Sequence, residues 1–362
     1  MANHPRILAI ANADAPYTFD QTTVRAFAQD HILGPDWREQ PAQAEQARLI
    51  ARLFAASRVE TRQSAIDIAQ YYRQSRTTGE RMQDYQTAAY SMGRDALTAC
   101  LRDAGDLHGA GDISDFVVVS CTGYSAPGLD IQLARDEGMR RDVRRVIVGH
   151  MGCFGAVVGL RQCLAAVRAY PGATAALLSV ELTSLHFSPT LDPEVLTALA
   201  LFGDAAACAL IGDDPAATGP ELVDVYCAAD FASADQISWV IADEGFIMGL
   251  SPRVPVTLRR NVAGVVEGLL QPHGLAARDV AHWVVHPGGP SILDAVARRL
   301  ELSDEQMALS WEVLRDRGNC SSATVLLILE RLIRSGRARR GEWCVLMAFG
   351  PGLTLETCLL RF

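Results

Sequence analysis

The amino-acid sequence predicts an α/β fold built from two related halves, and two observations carry that prediction. Short apolar runs such as 115-DFVVVS-120, 144-RRVIVG-149, 174-TAALLSVEL-182 and 343-WCVLMAFG-350 alternate with longer helical stretches. Runs that are apolar throughout, with no polar alternation, belong to strands covered by helices on both faces. The second observation is an internal echo. The stretches 151-MGCFGAVVGL-160 and 317-RGNCSSATVL-326 each pass from a glycine through small residues into an apolar helix. Upstream, 116-FVVVS-120 and 282-HWVVH-286 are strands that end on a polar residue before a Gly/Pro loop. Ser120 precedes Cys153 by 33 positions, and His286 precedes Asn319 by the same 33. A repeated spacing of this kind points to duplication of one strand-loop-strand-turn-helix unit. The halves are residues 1–220 and 221–362. Cys153 and Asn319 are then equivalent positions, and a pseudo-twofold axis would bring them to one cleft with His286.

In chain order, residues 43–70 and 80–104 read as helical because apolar and polar residues recur with helical spacing. Strand 115–120 runs into the loop 121-CTGYSAPG-128, whose glycines and proline stop regular structure. Strand 144–149 leads to the turn at Cys153, then to a helix over 155–169 and strand 174–182. The second half opens with strand 221-ELVDVYCA-228 and a helix over 255–270. Strand 282–286 meets the loop 287-PGGP-290, and helix 291–300 follows. The turn 316-DRGNCSS-322 starts a helix running to 334, and strand 343–350 follows it.

Composition excludes several functions. The net charge of −9 disfavours nucleic acid or an anionic membrane as partner. No apolar run approaches the roughly 18 residues of a membrane-spanning helix, and no secretory signal is expected at the N-terminus. Nine scattered cysteines without a C-x-x-C pair fit reduced thiols in a cytoplasmic protein, with no disulfide frame and no metal site. All 33 basic residues are arginine. Without lysine there is no Schiff base, no pyridoxal-phosphate anchor and no Walker A loop. A G-x-S-x-G elbow and a strand followed by G-x-G-x-x-G are also absent from the sequence.

One cysteine stands apart. Cys153 lies between a buried strand and a helix, flanked by Gly152 and by Phe154-Gly155. A helix N-terminus favours thiolate, and flanking glycines let a substrate carbonyl approach the backbone. His286 opens HPGGP; a neutral imidazole there could accept the thiol proton and later, with the Asn319 amide, donate hydrogen bonds to an oxyanion. His150, three residues before Cys153, is a rival base, but its strand-end position points it away. A Cys-His-Asn set also fits a cysteine protease; the apolar doubled α/β chain fits acyl transfer better.

The motifs 286-HPGGP-290, 318-GNCSS-322 and 348-AFGPGLTLET-357, with 202-FGDAA-206 and 53-LFAASRVETRQ-63, resemble the type III polyketide synthases, the chalcone synthase-like family. The resemblance runs over nearly the whole chain, and its details suggest a bacterial-type member. It implies a thiolase-like fold with five-layered αβαβα architecture, a homodimer and no bound cofactor. Acyl-CoA and malonyl-CoA would be the substrates. Cys153 would take the starter acyl group, and His286 and Asn319 would stabilise the enolate left when malonyl-CoA loses CO2. Phe202 matches the gatekeeping phenylalanine, and Met248, with Phe246 close by, falls at the second gate position. Arg48 and Arg52 match positions that hold the CoA phosphates, with Glu45 where a third basic residue is usual. Cys121, His186, Trp239, Ser321 and Pro351 match cavity-wall positions. Trp239 replaces a glycine, and Ala126, before a Pro127 that is cis in the family, replaces a methionine. These departures favour an aliphatic or malonyl-derived starter and a pyrone, resorcinol or phloroglucinol-type product. The alternative is a single-condensation β-ketoacyl synthase loaded from an acyl carrier protein. A non-catalytic acyl-binding subunit would be expected to have lost the nucleophile.

Overall fold

The computed structural model describes residues 5–105 and 108–362. Its strands are β1 (Arg6–Ala13), β2 (Tyr17–Asp20), β3 (Thr61–Ser64), β4 (Ile113–Ser120), β5 (Arg144–Gly149), β6 (Thr174–Glu181) and β7 (Ala205–Gly212) in the first half. The second half adds β8 (Glu221–Ala229), β9 (Ile237–Ala242), β10 (Gly245–Leu250), β11 (Val280–Val285), β12 (Trp343–Gly350) and β13 (Thr354–Arg361). The helices are α1 (Gln21–Leu33), α2 (Ala44–Ala56), α3 (Ile68–Tyr71), α4 (Thr78–Ala104), α5 (Leu129–Asp136), α6 (Gly155–Ala169), α7 (Pro193–Leu201), α8 (Val254–Leu270), α9 (Pro290–Leu300), α10 (Asp304–Arg317) and α11 (Thr324–Ser335).

The main sheet has the order β11-β12-β13-β8-β1-β7-β6-β4-β5. Its halves meet at a single residue pair, Arg6 with Glu221. On one side β4–β6 is parallel and β6–β7 and β7–β1 are antiparallel. On the other side β11–β12 is parallel and β12–β13 and β13–β8 are antiparallel. The same sequence of pairings occurs twice, as the duplicated motifs predict. Ser120 ends β4 and His286 directly follows β11, so the two polar strand ends are equivalent.

Five layers follow from where the apolar faces go. β4, β6 and β7 are buried along their whole length. α6 packs on β4 and β6, while α11 packs between β1 and β7 on one side and β11 and β12 on the other. This central layer shares one core with strand residues of both halves, among them Val117, Leu177, Val284 and Leu346. α11 buries Val325, Leu326, Leu327, Ile328, Leu329 and Leu332 in it; each such side chain contributes about 1.5–3 kcal/mol. The opposite face of the first half is covered by α4 and that of the second by α8 and α9. This is the αβαβα arrangement of the thiolase-like fold. The Ala126-Pro127 peptide is cis.

Two expectations need correction. The stretch 43–70 is not one helix: α2 ends at Ala56, Arg58 adopts a left-handed φ of 57°, and 61–64 forms β3 against β2. The alternating T-R-Q-S run pairs with Tyr17–Asp20, and that tertiary pairing overrides local helix propensity. The second half also has no counterpart of β5. Helix α10 precedes its turn, so the repeated unit differs there, and β5 lies at the sheet edge with Val146 and Ile147 exposed.

Candidate active site

Cys153 lies in the single turn Gly152–Phe154 that leads into α6. The glycines around it are steric requirements. Gly152 has φ 73°, and a Cβ there would come 2.7 Å from Pro351; one at Gly155 would come 2.8 Å from Val119. The turn is thereby pressed against both β4 and the FGPG loop. The Sγ lies 4.0 Å from Asn319 Oδ1.

Asn319 follows Gly318, at the turn between α10 and α11. Its Oδ1 accepts from the Ser321 backbone N–H at 2.9 Å, which leaves the amide NH2 as the free donor. Its own backbone is tied to the segment after α7: Asn319 N–H donates to Leu201 O (2.8 Å) and Gly203 N–H donates to Asn319 O (3.0 Å). His286 is held by its backbone N–H to Met347 O at 2.9 Å. It is almost fully buried, and neither ring nitrogen has a hydrogen-bond partner. Orphaned buried polar groups cost stability, so they mark a position kept for an incoming ligand.

Cys153, His286 and Asn319 line one largely apolar cavity with an empty volume of about 580 Å³. Burial pushes the imidazole down to about 3, so His286 is neutral. Burial likewise pushes the Cys153 thiol up to about 12, against the lowering hydrogen bonds of Ser321 and Asn319. The helix-terminus argument predicts the opposite direction; desolvation outweighs it here. The thiol is held protonated, so its proton must leave as the sulfur attacks. His150 does not line the cavity: its ring stands edge-on to Tyr124, 5.2 Å away, and its Nε2 meets the Tyr124 hydroxyl.

The same cavity is lined by Phe202, Met248, Cys121, Trp239, Ser321 and Pro351, six of the seven sequence-predicted pocket positions. Trp239 Nε1 donates to Cys121 O at 2.6 Å, which fixes the indole. Cys121 Sγ sits 3.2 Å from Ser321 Oγ and 3.4 Å from Glu181 Oε1. Glu181 is a fully buried carboxyl whose pKa burial raises, and it also accepts from Thr122 Oγ1 at 2.9 Å. His186 does not face this cavity. It lines a second, aromatic-walled cavity with an empty volume of about 750 Å³, which shares Thr183, Phe202, Trp239 and Met248 with the first. Its Nε2 donates to Thr122 O, its Nδ1 accepts from Phe246 N–H, and the two rings stack at 4.3 Å. With both nitrogens engaged and burial lowering its pKa to about 4, it is a neutral wall group.

An open channel meets the catalytic cavity at Leu250, Gly288 and Ile292 and runs to the end of α2. Arg48 and Arg52 do not line it. They lie along an outer groove that touches the channel at Ala55. The basic residue in the channel wall is Arg58, its guanidinium 4.9 Å above the Trp311 ring. Sequence reasoning missed Arg58, Thr183 and Glu181. Only Glu181 carries a signal, as a carboxylate closing the otherwise apolar run TAALLSVE.

Known proteins are similar to this chain along most of its length. Residues 51–215 match the family described as chalcone and stilbene synthases, N-terminal domain, and residues 228–362 match its C-terminal domain. The 1,3,6,8-tetrahydroxynaphthalene synthase of Streptomyces peucetius subsp. caesius is 35% identical over 360 residues, covering 98% of this chain and 93% of its own. The 3,5-dihydroxyphenylacetyl-CoA synthase of Streptomyces toyocaensis is 32% identical over 327 residues, covering 87% and 83%. The crystal structure of a polyketide synthase from the brown alga Ectocarpus siliculosus superposes with a TM-score of 0.91 at 28% identity, over 100% of this chain and 99% of that one. Full-length similarity to synthases, together with the duplicated fold, places the chain among the type III polyketide synthases, decarboxylating condensing enzymes of the chalcone and stilbene synthase family.

Proposed function

We propose that this enzyme loads an acyl-CoA starter on Cys153 and extends it iteratively with malonyl-CoA. The supporting observation is the neutral, unpartnered His286, which lines one largely apolar cavity with Asn319 and Cys153. Attack of the sulfur on the starter thioester forms acyl-Cys153; the thiol proton passes to His286 and then to the departing CoA thiolate. Malonyl-CoA next breaks its carboxyl C–C bond, releasing CO2 and leaving an enolate. The His286 N–H and Asn319 NH2 donate to its oxygen. A neutral donor pair stabilises that charge without an ion pair that would hold the malonyl carboxylate in place. The enolate carbon attacks the acyl-Cys153 carbonyl, Cys153 leaves, and a β-ketoacyl-CoA two carbons longer can reload.

An aliphatic or malonyl-derived starter is supported by the apolar walls and by the adjoining cavity. Phe202 and Met248 stand between the two spaces without the hydrogen bonds that anchor Trp239 and His186. Their rotation would admit a hydrocarbon tail. Ring closure to a pyrone, resorcinol or phloroglucinol-type product fits relatives named for hydroxylated aromatic products. A homodimer is supported by the unpaired edge of β5, where Val146, Ile147, Met151, Tyr124 and Ile131 expose apolar surface. No helix among the described residues is long and apolar enough to cross a membrane.

Stoichiometry tests the reading. The purified chain, given acyl-CoA and malonyl-CoA without carrier protein, is expected to release more than one CO2 per starter consumed. One CO2 per starter, or turnover only with a carrier protein, would favour the single-condensation alternative.

CoA delivery gives a second test. We assign the CoA diphosphate to Arg58 at the channel mouth. Arg58→Ala is expected to raise KM for malonyl-CoA about tenfold, the cost of one charge-assisted contact. KM for malonyl N-acetylcysteamine, which lacks the phosphates, should not move. Arg48→Ala should leave both KM values within about twofold, as for a solvated surface charge.

A further inference from the structure

Arg62 is a buried arginine with no place in the chemistry above. It lies on β3, is 5% exposed, and lines the second cavity and not the catalytic one. Its guanidinium spans the end of α7. Nη1 donates to Leu199 O (2.6 Å) and Phe202 O (2.7 Å); Nη2 donates to Ala200 O (2.6 Å) and to Gln21 Oε1. Gln21 Nε2 reaches the same Ala200 O at 2.8 Å. The last carbonyls of a helix have no intrahelical partners, and a fixed cationic fork is well shaped to satisfy several of them.

The segment so held is the one that carries both the Phe202 gate and the backbone of Asn319. Leu201 O and Gly203 N–H are the two groups that bridge to Asn319. The contact is too close for side chains on either strand. A Cβ on Gly318 would lie 2.5 Å from Leu201 O, and one on Gly203 would lie 2.6 Å from Arg317 O. Two backbones in direct contact transmit a displacement of one to the other, because a close-packed interior leaves no slack.

We infer that Arg62 is a positioning residue, fixing the 201–203 segment and through it the orientation of the Asn319 amide and the Phe202 ring. This rests on the enolate role proposed for Asn319. Starter loading on Cys153 does not need that amide, whereas decarboxylation needs it aimed at the enolate oxygen.

The test is a double-mutant cycle read by two assays on the full chain. Arg62→Lys keeps a cation but cannot span three carbonyls. It is expected to acylate Cys153 within about twofold of the unsubstituted protein and to decarboxylate malonyl-CoA about tenfold more slowly or worse. In an Asn319→Ala background the same change should cost less than about twofold in decarboxylation, since the group it acts through is gone. Equal losses in both backgrounds, or loading and decarboxylation falling together, would overturn the inference in favour of a purely structural role. If Arg62→Lys does not fold, Gln21→Ala withdraws the outer support of the guanidinium. It should show the same split at smaller amplitude, and parallel losses in that variant would be equally contrary. An Asn319→Ala protein that decarboxylates at the normal rate would overturn the underlying role of Asn319, and the route from Arg62 with it.

Discussion

Cys153→Ala is expected to lower polyketide formation at least about 10⁴-fold, the scale on which a covalent nucleophile removed from its base is missed. No other side chain replaces it. Cys121 also faces the cavity, but its Sγ is tied up between Ser321 Oγ at 3.2 Å and the buried Glu181 carboxyl at 3.4 Å. The loss should be selective. The donors that stabilise the enolate are intact in Cys153→Ala, so malonyl-CoA should still lose CO2 and accumulate as acetyl-CoA. Product from the variant at more than a trace, measured by liquid chromatography and mass spectrometry, would remove Cys153 from the mechanism.

Asn319→Ala and His286→Ala should divide the reaction the other way. Each removes one donor aimed at the enolate oxygen, and such a donor contributes about 10²–10³-fold in rate. Decarboxylation is expected to fall by that factor in both variants. The two then part company over loading. Asn319 touches the thiol only at 4.0 Å, so Asn319→Ala should still take up starter. His286→Ala should load slowly as well, because a thiol pushed up to about 12 by burial needs an acceptor for its proton. Burial keeps that imidazole neutral down to about pH 3, so its protonation does not set an acid limit between pH 5 and 8. Stopped assays of acetyl-CoA release and of Cys153 acylation separate the two effects.

Much of this fold and site is legible in the sequence. The apolar runs, the turn at Cys153 and the echo around Asn319 record a duplication that the sheet pairings repeat for four strands of each half, β5 having no counterpart. A strand buried on both faces leaves a continuous apolar signature, which is why β4, β6 and β12 could be read. The features that escaped are those set by distant partners. β3 exists because Tyr17–Asp20 lies beside it. The direction of His186 is fixed by Thr122 and Phe246, and sequence spacing says nothing of which cavity it faces. The upward push on the Cys153 thiol comes from how completely the surrounding walls bury it, which local helix geometry does not encode. Arg58 and Arg62 look alike in SRVETRQ, yet one stacks at a channel mouth and the other is sealed under α7.

The most direct test of the account is the intact mass of the purified protein after brief mixing with a graded series of acyl-CoA esters, with Cys153→Ala run in parallel. The account predicts an adduct of one acyl group on the unsubstituted protein, absent from the variant, and strongest for malonyl-derived or aliphatic esters. An adduct that persists in Cys153→Ala, or no adduct from any CoA ester under conditions of turnover, would contradict it.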